Sequence, residues 1–415
     1  MKAAPRLAVS FADIEAAAAT IEGEVLHTPS LPSPALGTLV GVELVLKLET
    51  LHPTGSFKER GALTKLKSLD AKARRRGVIA MSAGNHAQGV AYHAQRLGIP
   101  ATIVMPQDTP FTKIERTERY GARVVLEGAG LTEAHAAAGR IARKNGLTLV
   151  HPYDDPKIIA GQGTVGLELL RDAPGLDLLV VPIGGGGLIS GIAVAARALA
   201  PKLKVIGVEC ASYAFMRHAL GRGRPPAGGT TLAEGIAVKE PGKLPRPMIE
   251  ALVDDILTVE EDAIEEAVAL FLDAQRLVVE GAGAAPLAAI RAHPKRFRGK
   301  RVGLIVSGGN IDGRLLVSIV QRAVARAGRL VRLRVEITDV PGALATVSRI
   351  IGERGGNILE IYHQRLFFDV PVKLAEVDVV VETRNVAHVG EIVAALKAHG
   401  LPARLLSSTA LAARE

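Results

Sequence analysis

Apolar residues come in short runs that alternate with segments of helical spacing. Residues 44–48, 77–81, 101–105, 124–126, 178–183, 205–209 and 302–306 are apolar runs bounded by turn residues, which predicts buried strands. Between them, residues 62–69, 113–120, 132–145, 161–171 and 262–275 place apolar positions three and four apart, which predicts helices, and a further helix follows the stretch 82–89 through residue 97. Ser10-Phe11-Ala12-Asp13 has the form of a capping box and opens a helix through about residue 21. Residues 31–36 are punctuated by Pro32 and Pro34 and predict a loop. His151 to Pro156 carries turn chemistry and returns the chain to a second α/β layer, and residues 280–285 begin another helix. Strands alternating with helices predict an α/β fold with doubly wound parallel sheets.

The pattern changes near residue 329. Residues 329–337 alternate apolar and polar positions, a half-buried strand. Asp339 to Leu344 forms a loop into a helix through residue 353, and Gly355-Gly356-Asn357 turns the chain. Residues 358–364 and 377–382 are predicted strands, with a helix over 389–399 before a last short strand. This is a βαββαβ unit, expected as a separate small domain.

A length of 415 residues is long for one core and agrees with more than one domain. The balance of 48% hydrophobic and 22% charged residues is that of an ordinary globular protein. The net charge of +9 is spread along the chain, and 3% aromatics argues against a stacking platform for nucleic acid. The single cysteine, Cys210, excludes an internal disulfide and a multi-cysteine metal site. Lys2 and Arg6 precede acidic Asp13 and Glu15, so no signal-peptide core is predicted. The long uncharged stretch 178–196 contains Pro182 and four consecutive glycines, which makes it strand, loop and helix, not a membrane span. A cytoplasmic enzyme is expected.

Four stretches carry candidate chemistry. Lys58, in Ser56-Phe57-Lys58-Glu59-Arg60-Gly61-Ala62, sits where a strand gives way to a helix, beside Arg60. Neighbouring positive charge and desolvation both favour its neutral amine, which can attack a carbonyl. Ser82-Ala83-Gly84-Asn85-His86-Ala87-Gln88-Gly89 joins a strand to a helix start, where free N–H groups suit an anion and small residues let a ligand approach. Gly184-Gly185-Gly186-Gly187-Leu188 does the same for a phosphate. It fits no G-x-G-x-x-G frame, since the last place falls on Ile189 or Ser190, and G-x-x-x-x-G-K-[ST] is absent, so one phosphate is indicated. Ser307-Gly308-Gly309-Asn310 ends a strand, where open α/β sheets bind ligands. Glu209, at another strand end, leaves metal ligation, ribose binding and a plain strand-end charge open.

Together these motifs, in this order and spacing, resemble the fold-type II pyridoxal-phosphate enzymes, and among them the threonine ammonia-lyases with a C-terminal ACT domain. Asp339-Val340-Pro341-Gly342-Ala343-Leu344 resembles the ACT signature. The resemblance implies a two-lobed catalytic unit over 1–325, with a smaller lobe of about 53–154 inserted in a larger one of 1–52 and 155–325, and an ACT domain over 330–408. It implies that Lys58 holds pyridoxal 5'-phosphate as a Schiff base and serves as the base at the substrate Cα, with Phe57 beside it. Asn85 would bind the ring oxygen, the N–H groups of Gly184, Gly185, Gly186, Gly187 and Leu188 the phosphate, and Ser307 the ring nitrogen. Ser82, Ala83, Gly84, Asn85 and His86 would bind the substrate carboxylate. The expected reaction is β-elimination of the hydroxyl from L-threonine to 2-oxobutanoate and ammonia, with L-serine and 3-hydroxyaspartate as related substrates.

Similar racemases carry a second catalytic serine where Ala83 stands, which favours elimination here. Relatives with a cation site use acidic positions where this chain has Tyr213 and Phe215 after Glu209, so no metal is expected. Cysteine synthases usually carry threonine at the position of His86. An inactive amino-acid sensor on the same fold is the reading from another class. The resemblance also implies an amino-acid effector such as isoleucine or valine, and a homodimer or homotetramer.

Overall fold

The computed structural model describes residues 7–364 and 374–406. Lys2, Arg6 and the expected domain end at residue 408 lie outside these residues. The chain divides into two compact units, Met1–Ile311 and Asp312–Glu415.

The first unit is built on two sheets. The larger runs in the order Ser30–Pro32, Glu43–Leu48, Arg301–Val306, Leu178–Pro182, Lys204–Cys210, Asp255–Val259. Its first strand is antiparallel to its neighbour and the rest are parallel. Leu178–Pro182 lies inside the sheet and is buried at every position, which explains its unbroken apolar run. The smaller sheet is all parallel: Arg123–Leu126, Ala101–Met105, Val78–Met81, Thr148–Leu149. The fold is α/β with parallel sheets, as the alternation predicts.

Three helices pack close enough for backbones to touch. A Cβ on Gly161 would stand 2.7 Å from the Cα of Gly61, and a Cβ on Gly191 would stand 2.6 Å from the backbone nitrogen of Gly163. Glycine on both sides therefore lets Pro156–Asp172 lie against Lys58–Lys67 on one flank and Gly187–Leu199 on the other. This holds the lysine helix to the frame that carries the glycine loop.

Some boundaries differ from the pattern. The predicted loop at 31–36 contains the strand Ser30–Pro32 and the opening of the helix Pro34–Val40. Proline is acceptable in both places, on an edge strand and at the first helical position. The helix expected from 62 begins at Lys58, and the one expected from 161 begins at Pro156, where the Asp155 side chain accepts from the N–H groups of Lys157 and Ile158. The capping box at Ser10 and Asp13 is present, in the helix Phe11–Ile21.

In the second unit the strands run Asn357–Gln364, Leu374–Glu382, Leu330–Thr338, Ala403–Leu405, all antiparallel, with helices Ala343–Glu353 and Val386–Ala398. This is a ferredoxin-like βαββαβ order. The helix Gly313–Arg326 groups with this unit, which opens at Asp312. After Arg326 the chain turns directly into Leu330–Thr338, and the Thr383 hydroxyl donates to the Gly328 carbonyl in that turn.

Candidate active site

Lys58 is the first residue of its helix, and Phe57 precedes it with no side-chain cap. The Ser56–Lys58 segment is tied to the end of strand Arg301–Val306. Ser56 forms a bridge with Gly308, the Phe57 N–H donates to the Ser307 carbonyl at 3.1 Å, and the Gly309 N–H donates to the Gly55 carbonyl at 2.9 Å. The Lys58 Nζ donates to the Pro152 carbonyl at 2.9 Å and lies 5.1 Å from the centre of the Phe57 ring. Burial lowers this amine to about 8, against the upward pull of Glu280. The expected push from Arg60 is absent. Its guanidinium turns away and is taken up by Glu49 and Glu168 at 2.6–2.9 Å.

Beyond Pro152 the chain reaches the glycine loop. A Cβ on Gly185 would land 2.2 Å from the Tyr153 ring, and one on Gly187 would stand 2.9 Å from the Tyr153 carbonyl. Gly186 has φ +96°, a left-handed conformation open to glycine, and it precedes a helix that begins at Gly187 with no side-chain cap. The first-turn N–H groups of that helix thus have no side chain to satisfy them, which makes an anion cradle.

On the other side, Gly184 abuts Gly235 and Ile236, and a Cβ on Gly235 would stand 3.3 Å from Glu280 Oε1 and 4.0 Å from Asn85 Nδ2. Asn85 Nδ2 donates to Glu280 Oε1 at 2.7 Å, and Asn310 Nδ2 donates to Asn85 Oδ1 at 2.8 Å. Burial raises the Glu280 carboxyl to about 7, with the Asn85 hydrogen bond opposing. The contacts close a ring: lysine loop, Ser307 to Asn310, Glu280 and Asn85, Gly235, the glycine loop, Tyr153, and back to Lys58.

The Ser82–His86 turn enters the same ring through Asn85. Gly84 precedes the helix Asn85–Arg96 without a side-chain cap, and space above it is open. The Gly84 N–H donates to the Ser82 hydroxyl at 3.1 Å. Ala83 is half-buried against the core that packs on the smaller sheet. His86 is buried; its Nε2 faces the Val150 carbonyl at 2.9 Å, which places the proton there, and Nδ1 has no partner. Burial and the Lys58 charge push this imidazole down to about 3, so it is neutral.

The structure therefore brings Phe57, Lys58, the glycine loop, Asn85 and Ser307 around one ring, with Ser82 to His86 at its edge. Glu209 lies elsewhere: it is buried, and its two oxygens accept from the N–H groups of Met216 and Arg217 at 2.9 Å. Among the described residues no group of three or more His, Cys, Asp or Glu side chains is placed to hold a metal ion. Sequence reasoning missed Glu280, which looks like a helix start, and passed over Tyr153. Glu280 does precede the helix Gly281–Ala292, but its carboxylate does not cap that helix. Only the fold reveals that it is spent on Asn85.

A half-buried lysine whose amine is lowered, an uncapped glycine-loop helix start that suits an anion and an amide-lined rim define a carbonyl-cofactor site, and the residues present fit pyridoxal phosphate. The chain belongs to the family of pyridoxal-phosphate dependent enzymes, whose model matches residues 21–308. Within that family it is 43% identical over 400 residues to the L-threonine ammonia-lyase of Thermotoga maritima, covering 96% of this chain and 100% of that protein. The structure is similar to that of a threonine deaminase from T.th., with TM-score 0.69 and 42% identity over 73% of this chain and 99% of that one. It is also similar to serine racemase from Dictyostelium discoideum, with TM-score 0.69 and 34% identity over 74% of this chain and 99% of that one.

Proposed function

We propose that this protein is a threonine ammonia-lyase, converting L-threonine to 2-oxobutanoate and ammonia and acting also on L-serine. The carrying observation is the similarity to the Thermotoga maritima enzyme, which runs through both units and not only the catalytic one. Serine racemase likeness is weaker, at 34% identity, and Ala83 leaves no hydroxyl at the position where a racemase would need a second acid–base.

When bound, pyridoxal phosphate supplies the electron sink that acidifies the substrate Cα. The chain's own residues do the rest. Lys58, lowered to about 8, is neutral in about a tenth of molecules at pH 7, far more than an ordinary lysine, and so both anchors the cofactor and, once freed, takes the Cα proton. N–H groups of Gly184 to Leu188 would hold the phosphate. The open start of Asn85–Arg96, with Ser82, Ala83 and Gly84, receives the substrate carboxylate, and neutral His86 adds no charge there. Asn85 would donate to the ring oxygen, and Ser307 would give the ring nitrogen a neutral hydroxyl partner.

The second unit is read as an ACT domain that binds an amino-acid effector, isoleucine or valine, in a cytoplasmic homodimer or homotetramer. Support comes from the ferredoxin-like order and from Gly342, whose φ of +89° turns the Asp339–Leu344 loop into the helix Ala343–Glu353. No helix among the described residues is long and apolar enough to cross a membrane.

The test is 2-oxo acid formation by the cofactor-loaded protein from L-threonine, L-serine and L-threo-3-hydroxyaspartate, each with and without isoleucine. Preferred turnover of threonine, abolished in Lys58→Ala and altered by isoleucine, is expected. Turnover indifferent to isoleucine would remove the regulatory claim. No oxo acid from any substrate would sink the lyase reading.

A further inference from the structure

We propose that Glu280 is a positioning residue of the cofactor site, one end of a hydrogen-bond chain through Asn310 that forces Asn85 to present an N–H, not its carbonyl, to the ring. The inference rests on the reading that Asn85 contacts the cofactor's ring oxygen. A carboxamide has two ends of nearly equal shape, one donating and one accepting, so shape alone does not choose between them. Here the choice is made by groups that cannot reverse. The Thr54 carbonyl only accepts, and it takes one hydrogen of Asn310 Nδ2 at 2.7 Å. The other Nδ2 hydrogen of Asn310 then goes to Asn85 Oδ1 at 2.8 Å. Asn85 Oδ1 is thereby fixed as the acceptor, and Nδ2 must donate to Glu280 Oε1 at 2.7 Å. One hydrogen of Asn85 Nδ2 remains, and its natural partner is a ring oxygen bearing negative charge.

The surroundings keep Glu280 in the accepting role. Its backbone N–H is spent on the Gly308 carbonyl at 3.1 Å, and the backbone N–H of Asn310 donates to its carboxylate. A Cβ on Gly308 would stand 2.6 Å from Oε1, so glycine at that position is what admits the carboxylate. Glu280 is half-buried and does not cap its own helix, so its placement serves the site.

The experiment compares wild type, Glu280→Ala, Glu280→Gln and Asn310→Asp as purified apo proteins. It measures the dissociation constant of pyridoxal phosphate and the pH midpoint of the visible absorbance of the lysine-bound cofactor. Loss of one hydrogen bond in a buried site is expected to weaken cofactor binding about tenfold in Glu280→Ala and to move the absorbance midpoint. Glu280→Gln keeps an accepting oxygen and should hold affinity near wild type. Asn310→Asp replaces the donor with an acceptor, inverts the chain and should match or exceed Glu280→Ala. If Glu280→Ala does not fold, the opposite behaviour of Glu280→Gln and Asn310→Asp decides. Wild-type affinity and midpoint in a folded Glu280→Ala or Asn310→Asp would overturn the inference alone. Failure of wild type to bind the cofactor at Lys58 would overturn both it and the proposed function.

Discussion

Carboxylates lie on both sides of Lys58, a fully buried one with its partners behind it and a half-buried one in front. Behind, Glu49 is enclosed, yet the Arg60 guanidinium lies 2.7 Å from one oxygen and 2.9 Å from the other, with His52 at 2.9 Å. Burial works to raise this carboxyl, but Arg60 and His52 overrule it and hold it well below the ordinary range. Lys47 and Glu168 extend the same web at 2.6 Å. In front, Glu280 is half-buried and meets only neutral donors, from Asn85 and the Asn310 backbone, and desolvation carries it up to about 7. Glu49 is the more enclosed of the two and yet the one held down; the charge of the partner, not the depth of burial, decides whether the group is fixed or able to titrate. The web anchors the lysine helix with a permanent charge pattern. The rim keeps a carboxyl whose state responds near neutral pH, beside the amine that must do chemistry.

Arg60 is the residue on which the web behind Lys58 depends most. Arg60→Leu leaves buried Glu49 with only His52 and Thr28 beside it and Glu168 with Lys47 alone, and is expected to cost about 3–5 kcal/mol, since a buried carboxylate loses its guanidinium. Denaturant unfolding of the apo protein measures it. A loss near zero would mean that these carboxylates take up protons at little cost and that the two clusters do not differ in kind.

Much of this site is legible in the chain because it is local. The lysine stretch, the four glycines and Ser82 to Gly89 each do their work within a few residues, so a strand, a turn and a helix start suffice to place them. The long-range partners are not legible in this way. Asn85 and Glu280 are 195 positions apart, Asn85 and Asn310 are 225, and Arg60 and Glu168 are 108. A glutamate ahead of a Gly-Ala helix looks like a helix-terminus charge until the tertiary structure turns it inward. Two positions from Lys58 in sequence, Arg60 looks like a charge that depresses the amine; only the packing of Lys58–Lys67 on Pro156–Asp172 points it the other way. The helix Pro34–Val40 is hidden by prolines that read as breakers but stand where a strand edge and a helix start accept them.

Glu280 sharpens the contrast through pH. Its folded value, about 7, lies above the ordinary carboxylate value of 4.5, so the folded state holds the proton more tightly. The resulting stability is fully present below about pH 4.5 and is lost as pH rises through about 7. A shift of this size corresponds to about 3 kcal/mol across that window. In apo protein the stability of wild type relative to Glu280→Gln should therefore fall between about pH 5 and 8. A constant difference would place Glu280 with Glu49, as a carboxylate ionised throughout.

The finest distinction is between charged and neutral partners of the same carboxylate. The Thr28 hydroxyl donates to Glu49 Oε1 at 2.6 Å and lies 3.2 Å from an Arg60 nitrogen, and Thr28 is fully buried. Thr28→Val keeps the shape and removes one neutral donor, while Arg60 still covers both oxygens. The expected cost is about 1–2 kcal/mol, that of a buried hydrogen bond to an acceptor that keeps other partners. Glu49 should stay ionised, so the pH dependence of stability should not change shape. A cost as large as that of Arg60→Leu would mean that the web depends on its full set of hydrogen bonds and not on its cation. In that case the rim around Glu280, which has no cation in direct contact, would owe its order to the same cause, and the two clusters would differ only in where their protons sit.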